Sequence, residues 1–161
     1  MAIKFTILGC GYSLGVPRID GSFGECNPTN KKNYRTRCSA LISSKNINIL
    51  VDTSPDLKFQ LIKNKIKNIN KIFYTHPHAD QTHGINDLRL FYLKKQKPIP
   101  VYADQNTRSH LLSSFKYCFK HVSEYPPILK MHNLKKVHNY KDAKDNISIK
   151  SIPVKHGKIN S

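Results

Sequence analysis

The chain has 161 residues, enough for one domain with a sizeable core and too few for two ordinary ones. Lysine and arginine number 27 against 10 aspartates and glutamates, a net charge of +17, but the lysines are scattered and arginine numbers only five, so charge alone identifies no nucleic-acid binder. No run of eighteen apolar residues exists, which excludes an apolar membrane-spanning helix, and the N-terminus alternates instead of forming a signal peptide, so a cytoplasmic location is expected.

In chain order, residues 2–9 read as a strand with Ile3, Phe5 and Ile7 on one face, followed by a glycine-rich turn over 9–17. Residues 18–37 hold turn formers and little periodicity. Residues 39–43 and 47–51 form a hairpin pattern around Lys45-Asn46. Thr53 or Ser54 is placed to cap a helix that begins at Pro55 and carries Leu57, Leu61 and Ile62. A strand over 69–74 comes next, then a helix over 84–93, a strand over 99–102 and a helix over 106–119. Less regular strands follow around 128–138, and a clear alternation runs over 147–154. Strands and helices in this order predict an α/β class with a mixed sheet. The four cysteines, Cys10, Cys26, Cys38 and Cys118, form no C-x-x-C pair and are expected as reduced thiols.

The chemistry concentrates in Thr75-His76-Pro77-His78-Ala79-Asp80-Gln81-Thr82-His83-Gly84, directly after the β-prone run Lys71-Ile72-Phe73-Tyr74. Residues two apart in an extended chain project to one side, so His76 and His78 can grip one ion, with Asp80 reaching it or a second ion beside it. Neutral imidazole nitrogen and carboxylate oxygen are the donors that catalytic zinc takes when one position stays open for water. His156 stands at the exit of the last strand, repeating the placement of His76. His110, His121, His132 and His138 lie in lysine-rich or helical contexts and are expected to be solvated. Ser13, in Gly11-Tyr12-Ser13-Leu14-Gly15, precedes no helix and is not read as a nucleophile.

The H-x-H-x-D run, the upstream Val51-Asp52-Thr53 and the downstream His156-Gly157 together resemble the metallo-β-lactamase-fold metallohydrolases. Leu8-Gly9-Cys10-Gly11-Tyr12-Ser13-Leu14-Gly15-Val16-Pro17, Arg37-Cys38-Ser39 and Gly84-Ile85-Asn86-Asp87-Leu88-Arg89 resemble one branch, the phosphoribosyl cyclic phosphodiesterase (PhnP-like) family. The resemblance implies an αββα sandwich with mixed sheets whose C-terminal part is missing, residues 1–161 forming a single, incomplete domain with apolar surface left uncovered. It implies that His76, His78 and His156 hold a first metal, that Asp80 serves a second metal or orients the attacking hydroxide, and that Asp52 sits behind the ligand histidines and polarises them. The implied cofactor is one or two Zn2+ ions, with Mn2+ as the harder alternative.

The implied activity is hydrolysis of a phosphodiester or cyclic phosphate in a small phosphorylated substrate. A nuclease or RNA-processing relative and a catalytically silent metal-binding domain are the alternatives. No membrane partner is expected, and the oligomeric state is left open. Arg89, with Asp87 near enough to fix it, is a candidate to hold phosphate. Where the family most often has a histidine after the aspartate, this chain has Gln81. Either the second site is weakened or His83 substitutes for that ligand. The branch's structural zinc site in the long N-terminal loop is not expected, because only Cys26 stands in that stretch.

Overall fold

The computed structural model describes residues 2–142, 145–157 and 159–160. Its frame is a six-stranded sheet in the order β1-β2-β3-β4-β5-β6. The strands are β1 (Lys4–Gly9), β2 (Ser39–Ser43), β3 (Asn48–Val51), β4 (Lys71–Phe73), β5 (Ile99–Ala103) and β6 (Leu129–Asn133). β1, β2 and β3 pair antiparallel, whereas β3 to β6 run parallel, so the sheet is mixed as the element order predicts. Parallel neighbours require crossovers, and these are the helices α1 (Leu57–Lys63), α2 (Ala79–Thr82), α3 (Arg89–Lys95), α4 (Gln105–Ser114) and α5 (Lys116–Phe119).

Side chains alternate across each strand, so the sheet builds two cores. Leu41, Leu50, Ile72 and Val101 face the helices and pack with Leu57, Leu61, Ile85, Leu88 and Leu111. Ile49 and Phe73 face the other way and meet Tyr140 and Ile147. Tyr140 and Ile147 belong to an antiparallel pair, β7 (Val137–Asp142) and β8 (Asp145–Lys150). This pair covers the middle of the sheet's second face. On the same face of β1, Ile3, Phe5 and Ile7 are exposed. A short pair, β9 (Lys155–His156) and β10 (Ile159–Asn160), closes the described chain.

Several elements differ from the sequence reading for identifiable reasons. The helix predicted over 84–93 is two pieces, a 3-10 turn over Ile85–Leu88 and α3, and a separate short helix, α2, precedes them. The break falls at Gly84, where the chain presses so close to the backbone of Ser54 that no side chain fits. The helix predicted from Pro55 begins at Leu57, because Ser54 Oγ accepts from the Asp56 amide at 3.1 Å and so organises the turn ahead of the helix. Asp56 does not cap that helix either; its carboxylate takes the fork of Arg37. The helix predicted over 106–119 breaks at Phe115, whose φ of −123° is not helical. The alternation over 147–154 becomes the strand Asp145–Lys150.

His138 corrects the expectation of a solvated ring. It is buried, accepts from the Lys135 amide through Nε2 at 2.8 Å, and packs against Phe73, Tyr102 and Tyr140.

Candidate metal centre

The histidine loop begins where β4 ends, and the end of β3 shapes it. Asp52 follows β3 with φ of 60°, a left-handed conformation that short polar side chains tolerate better than most. This turn folds its carboxylate back onto the next strand end. Oδ1 accepts from the Thr75 amide and Oδ2 from the Thr75 hydroxyl, each at 2.8 Å. Thr75 Oγ1 lies in turn 2.9 Å from His76 Nδ1. With Asp52 ionised, the hydroxyl gives its one proton to the carboxylate and accepts from the imidazole N–H. Nδ1 therefore holds the proton of His76, and Nε2 keeps its lone pair for the site.

A second brace runs behind the loop. The Thr53 amide donates to Gln81 O at 2.7 Å, and the Gly84 amide donates to Thr53 O at 2.9 Å. Thr53 Oγ1 and Tyr74 Oη share a hydrogen bond of 2.8 Å in the buried interior. The loop carrying the histidines is thus fixed to the end of β3 by main-chain bonds at Gln81, within α2, and at Gly84, just after it.

The loop directs His76 Nε2 towards His78 Nδ1, 3.1 Å away. His156, delivered by β9, brings its ring to within 4.6 Å of His76 and 5.2 Å of His78, measured between ring centroids. Among the described residues, these three are the group whose ligand atoms all lie within 4.8 Å of one another. His76 is buried, while His78 and His156 are exposed. Burial and the neighbouring His78 and His156 lower the pKa of His76, against an opposing pull from Asp80. A neutral imidazole is the form that binds metal. His76 Nε2 and His78 Nδ1 share a hydrogen bond, and the same ring nitrogens, when unprotonated, can bind one cation instead. The donor set therefore fits a divalent cation of the borderline class that imidazole favours.

The model of the beta-lactamase superfamily domain matches residues 47–160, more than half of the chain. This chain belongs to the beta-lactamase superfamily. An octanoyltransferase of Porphyromonas gingivalis is 30% identical over 160 residues, covering 98% of this chain and 32% of that protein. A diphosphatase from the PhnP family superposes with a TM-score of 0.80 at 28% identity, over 99% of this chain and 60% of that one. The human short form of tRNase Z has the same fold, with a TM-score of 0.61 at 18% identity, over 99% of this chain and 62% of that one. The chain thus spans about a third of the curated relative and under two thirds of the diphosphatase.

Within this beta-lactamase superfamily domain, the other residues singled out by sequence fall at graded distances from the histidines. Asp80 is not part of the 4.8 Å group. Its Oδ2 accepts from Gln81 Nε2 at 3.1 Å, and its charge reaches His76, Arg37, Cys38 and Asp52. Gln81 is buried, and its Oε1 has no hydrogen-bond partner among the described residues. His83 turns away, with Nδ1 3.1 Å from Thr82 Oγ1 and its ring edge-on to Phe115. Arg89 stacks over Tyr125 at 5.2 Å instead of pairing with Asp87, in a cavity of about 630 Å³ that Tyr92 and Tyr117 also line. Asp52 is where a carboxylate behind the ligands belongs, but it acts on His76 through Thr75 and not by direct contact. Thr75 is the residue that sequence reading missed. Its signal is a hydroxyl residue immediately before the first histidine of the run.

Proposed function

We propose that this chain is a metal-dependent hydrolase that cleaves a phosphodiester or cyclic phosphate in a small phosphorylated substrate. The convergence of His76, His78 and His156 carries this reading, and membership of the superfamily supports it. The substrate class rests on the resemblance to the PhnP-family diphosphatase. The octanoyltransferase shares only a third of its length with this chain, so its named activity is not carried over. A cytoplasmic location belongs to the same proposal.

In this proposal His76, through Nε2, and His78 and His156 hold the first ion, zinc or manganese. When bound, such an ion acidifies a coordinated water and neutralises charge on a phosphoryl oxygen. The chain's own residues do the rest. Asp52 holds Thr75, and Thr75 holds the Nδ1 proton of His76, which fixes ring orientation and raises the basicity of Nε2. Asp80 stands beside the histidines as proton acceptor and orienting carboxylate for the attacking water, or as ligand to a second ion. Gln81, whose Nε2 donates to Asp80, keeps that carboxylate from swinging freely. His83 and Arg89 are left outside the first ion's ligand set, His83 by its packing on Phe115 and Arg89 by its stacking on Tyr125.

The experiment compares the full chain with His78→Ala for bound metal after dialysis and for hydrolysis of bis(p-nitrophenyl) phosphate with added zinc or manganese. Bound metal and turnover that both fall sharply in the variant are the expected result. Equal metal content and equal turnover in the two proteins would sink the proposal. A net charge of +17 favours a second reading, cleavage of RNA. Metal-dependent RNA cleavage lost in the same variant would support it, whereas binding that vanishes with modest salt and needs no metal reflects charge alone.

A further inference from the structure

All four cysteines are free thiols, and two of them, Cys10 and Cys38, are exposed residues where β1 leaves β2. Gly9 pairs with Ser39, and beyond it Gly11 makes an isolated bridge of parallel sense to Arg37, so Cys10 and Cys38 lie between two contacts that hold their segments together. Phe5 pairs with Ile42 and Ile7 with Ala40 on the side away from the helices, and Ile42 packs into the second core. The register then shifts between Ile7 and Gly9. A Cβ on Gly9 would run into Gln60 of α1, so Gly9 faces the helices, and its partner Ser39 is buried. The next residue on each chain, Cys10 and Cys38, lies just beyond its strand and is exposed. Cys38 Sγ donates to the carbonyl oxygen of Gly11 at 3.2 Å, which sets its sulfur against the residue next to Cys10. A disulfide spans Cα atoms about 4.4 to 6.8 Å apart, a separation that neighbouring hydrogen-bonded segments reach.

We propose that Cys10 and Cys38 form a peroxide-oxidisable dithiol that closes to a disulfide beside the histidine cluster. Hydrogen peroxide takes the sulfur of Cys10 as nucleophile, its O–O bond breaks, and one water leaves with a sulfenic acid on Cys10. The sulfur of Cys38 then attacks that sulfur, the S–O bond breaks, and the hydroxyl departs with the thiol proton of Cys38 as a second water. Two thiols are oxidised by two electrons and one peroxide is reduced, so the step balances. Burial and the carboxylate of Asp80 raise the pKa of Cys38, which suits it to the resolving role. The disulfide ties the glycine-rich turn after β1 to the start of β2, on a residue whose thiol already feels the charges of Asp80 and Asp52. Cys118 is buried at the helix side and takes no part.

The test treats the reduced full chain with a small excess of hydrogen peroxide, alkylates the remaining thiols and maps peptides without reductant. The expected result is a linked peptide pair containing Cys10 and Cys38, reversed by dithiothreitol, with two thiols lost together and Cys118 still alkylatable. Cys26→Ser keeps the linked pair, while Cys10→Ser and Cys38→Ser each lose it. The wild-type map decides the matter even where a serine variant folds poorly. Sulfinic or sulfonic acid on either cysteine without a linked pair, linkage through Cys26, or no loss of thiols overturns the proposal.

Discussion

The hydroxyl of Thr75 lies 2.9 Å from Nδ1 of His76, and that contact decides which nitrogen of the ring faces the site. Where Asp52 is ionised, above about pH 7, the proton of the hydroxyl is donated to it, so the oxygen accepts and the imidazole donates from Nδ1. Three groups in a line therefore leave one lone pair aimed at the cluster. Thr75→Val keeps the shape and removes the relay. Bound metal is expected to weaken by about 10- to 100-fold, the usual effect of losing the partner behind a ligand histidine. Thr75→Ser is expected to restore it. Competition against a chromophoric chelator measures both, and equal affinity for all three proteins would show that the relay has no part in holding the ion.

Asp52 makes the fold pH-dependent. Burial pushes its carboxyl up from the ordinary 3.8 to about 7, against the lowering effect of the two hydrogen bonds from Thr75. Below the ordinary value both folded and unfolded chains carry the proton and no penalty arises. Between the two values only the folded chain keeps it, so folding binds a proton and stability falls as pH rises. Metal-free wild type is therefore expected to lose up to about 4 kcal/mol relative to Asp52→Asn between pH 4 and pH 7, since one proton taken up on folding changes stability by about 1.4 kcal/mol for every pH unit crossed. Above pH 7 the difference levels off. Urea midpoints of the two proteins across that range, with chelator present, measure it. A difference that does not change with pH would refute the buried ionisation.

Local patterns were readable wherever the chain acts on its own neighbours. The alternation of Ile49, Leu50, Ile72 and Phe73 gives the two faces of the sheet, and the spacing of His76 and His78 gives their convergence. His156 was read as the exit of a strand running to 154, but that strand ends at Lys150 and His156 lies within β9, which no periodicity announces and which brings it to 4.6 Å from His76. What stayed hidden depends on contacts between distant segments. The interruption at Gly84 comes from Ser54, thirty residues away, and the burial of His138 comes from Phe73 and Tyr102. Thr75 was in plain view yet carried no motif. Its role appears only once the positive φ of Asp52 turns a carboxylate back upon it.

Gly84 is required by space and not by conformation. Its φ of −84° suits any residue. An added Cβ would collide with the carbonyl of Ser54 and press on Leu57 Cβ at 3.0 Å. Neither neighbour is free to retreat, because the Gly84 amide is bonded to Thr53 O and Leu57 is fully buried. Gly84→Ala is therefore expected to destabilise the fold by about 1 to 3 kcal/mol or more, as overpacking does. The same strain should loosen the loop that carries the histidines. Urea denaturation gives the first effect and metal titration the second. An unchanged midpoint would mean that the Ser54 backbone yields at no cost.

Gln81 is where this chain leaves the pattern it resembles. Its Nε2 is taken by Asp80, and its Oε1 is buried with no partner among the described residues. An amide oxygen is a neutral, hard donor, poor for zinc and acceptable for manganese or magnesium. A second ion beside Asp80 should accordingly be weak in the wild type and should prefer manganese. Gln81→His exchanges that donor for an imidazole, a ligand better matched to zinc. The variant is expected to raise bound zinc from about one ion per chain towards two, while the wild type reaches a second ion only with excess manganese. Calorimetric titration with each metal separates the two steps directly. If the variant binds no more zinc than the wild type, the second site is limited by something other than Gln81, and Asp80 then serves the first ion alone.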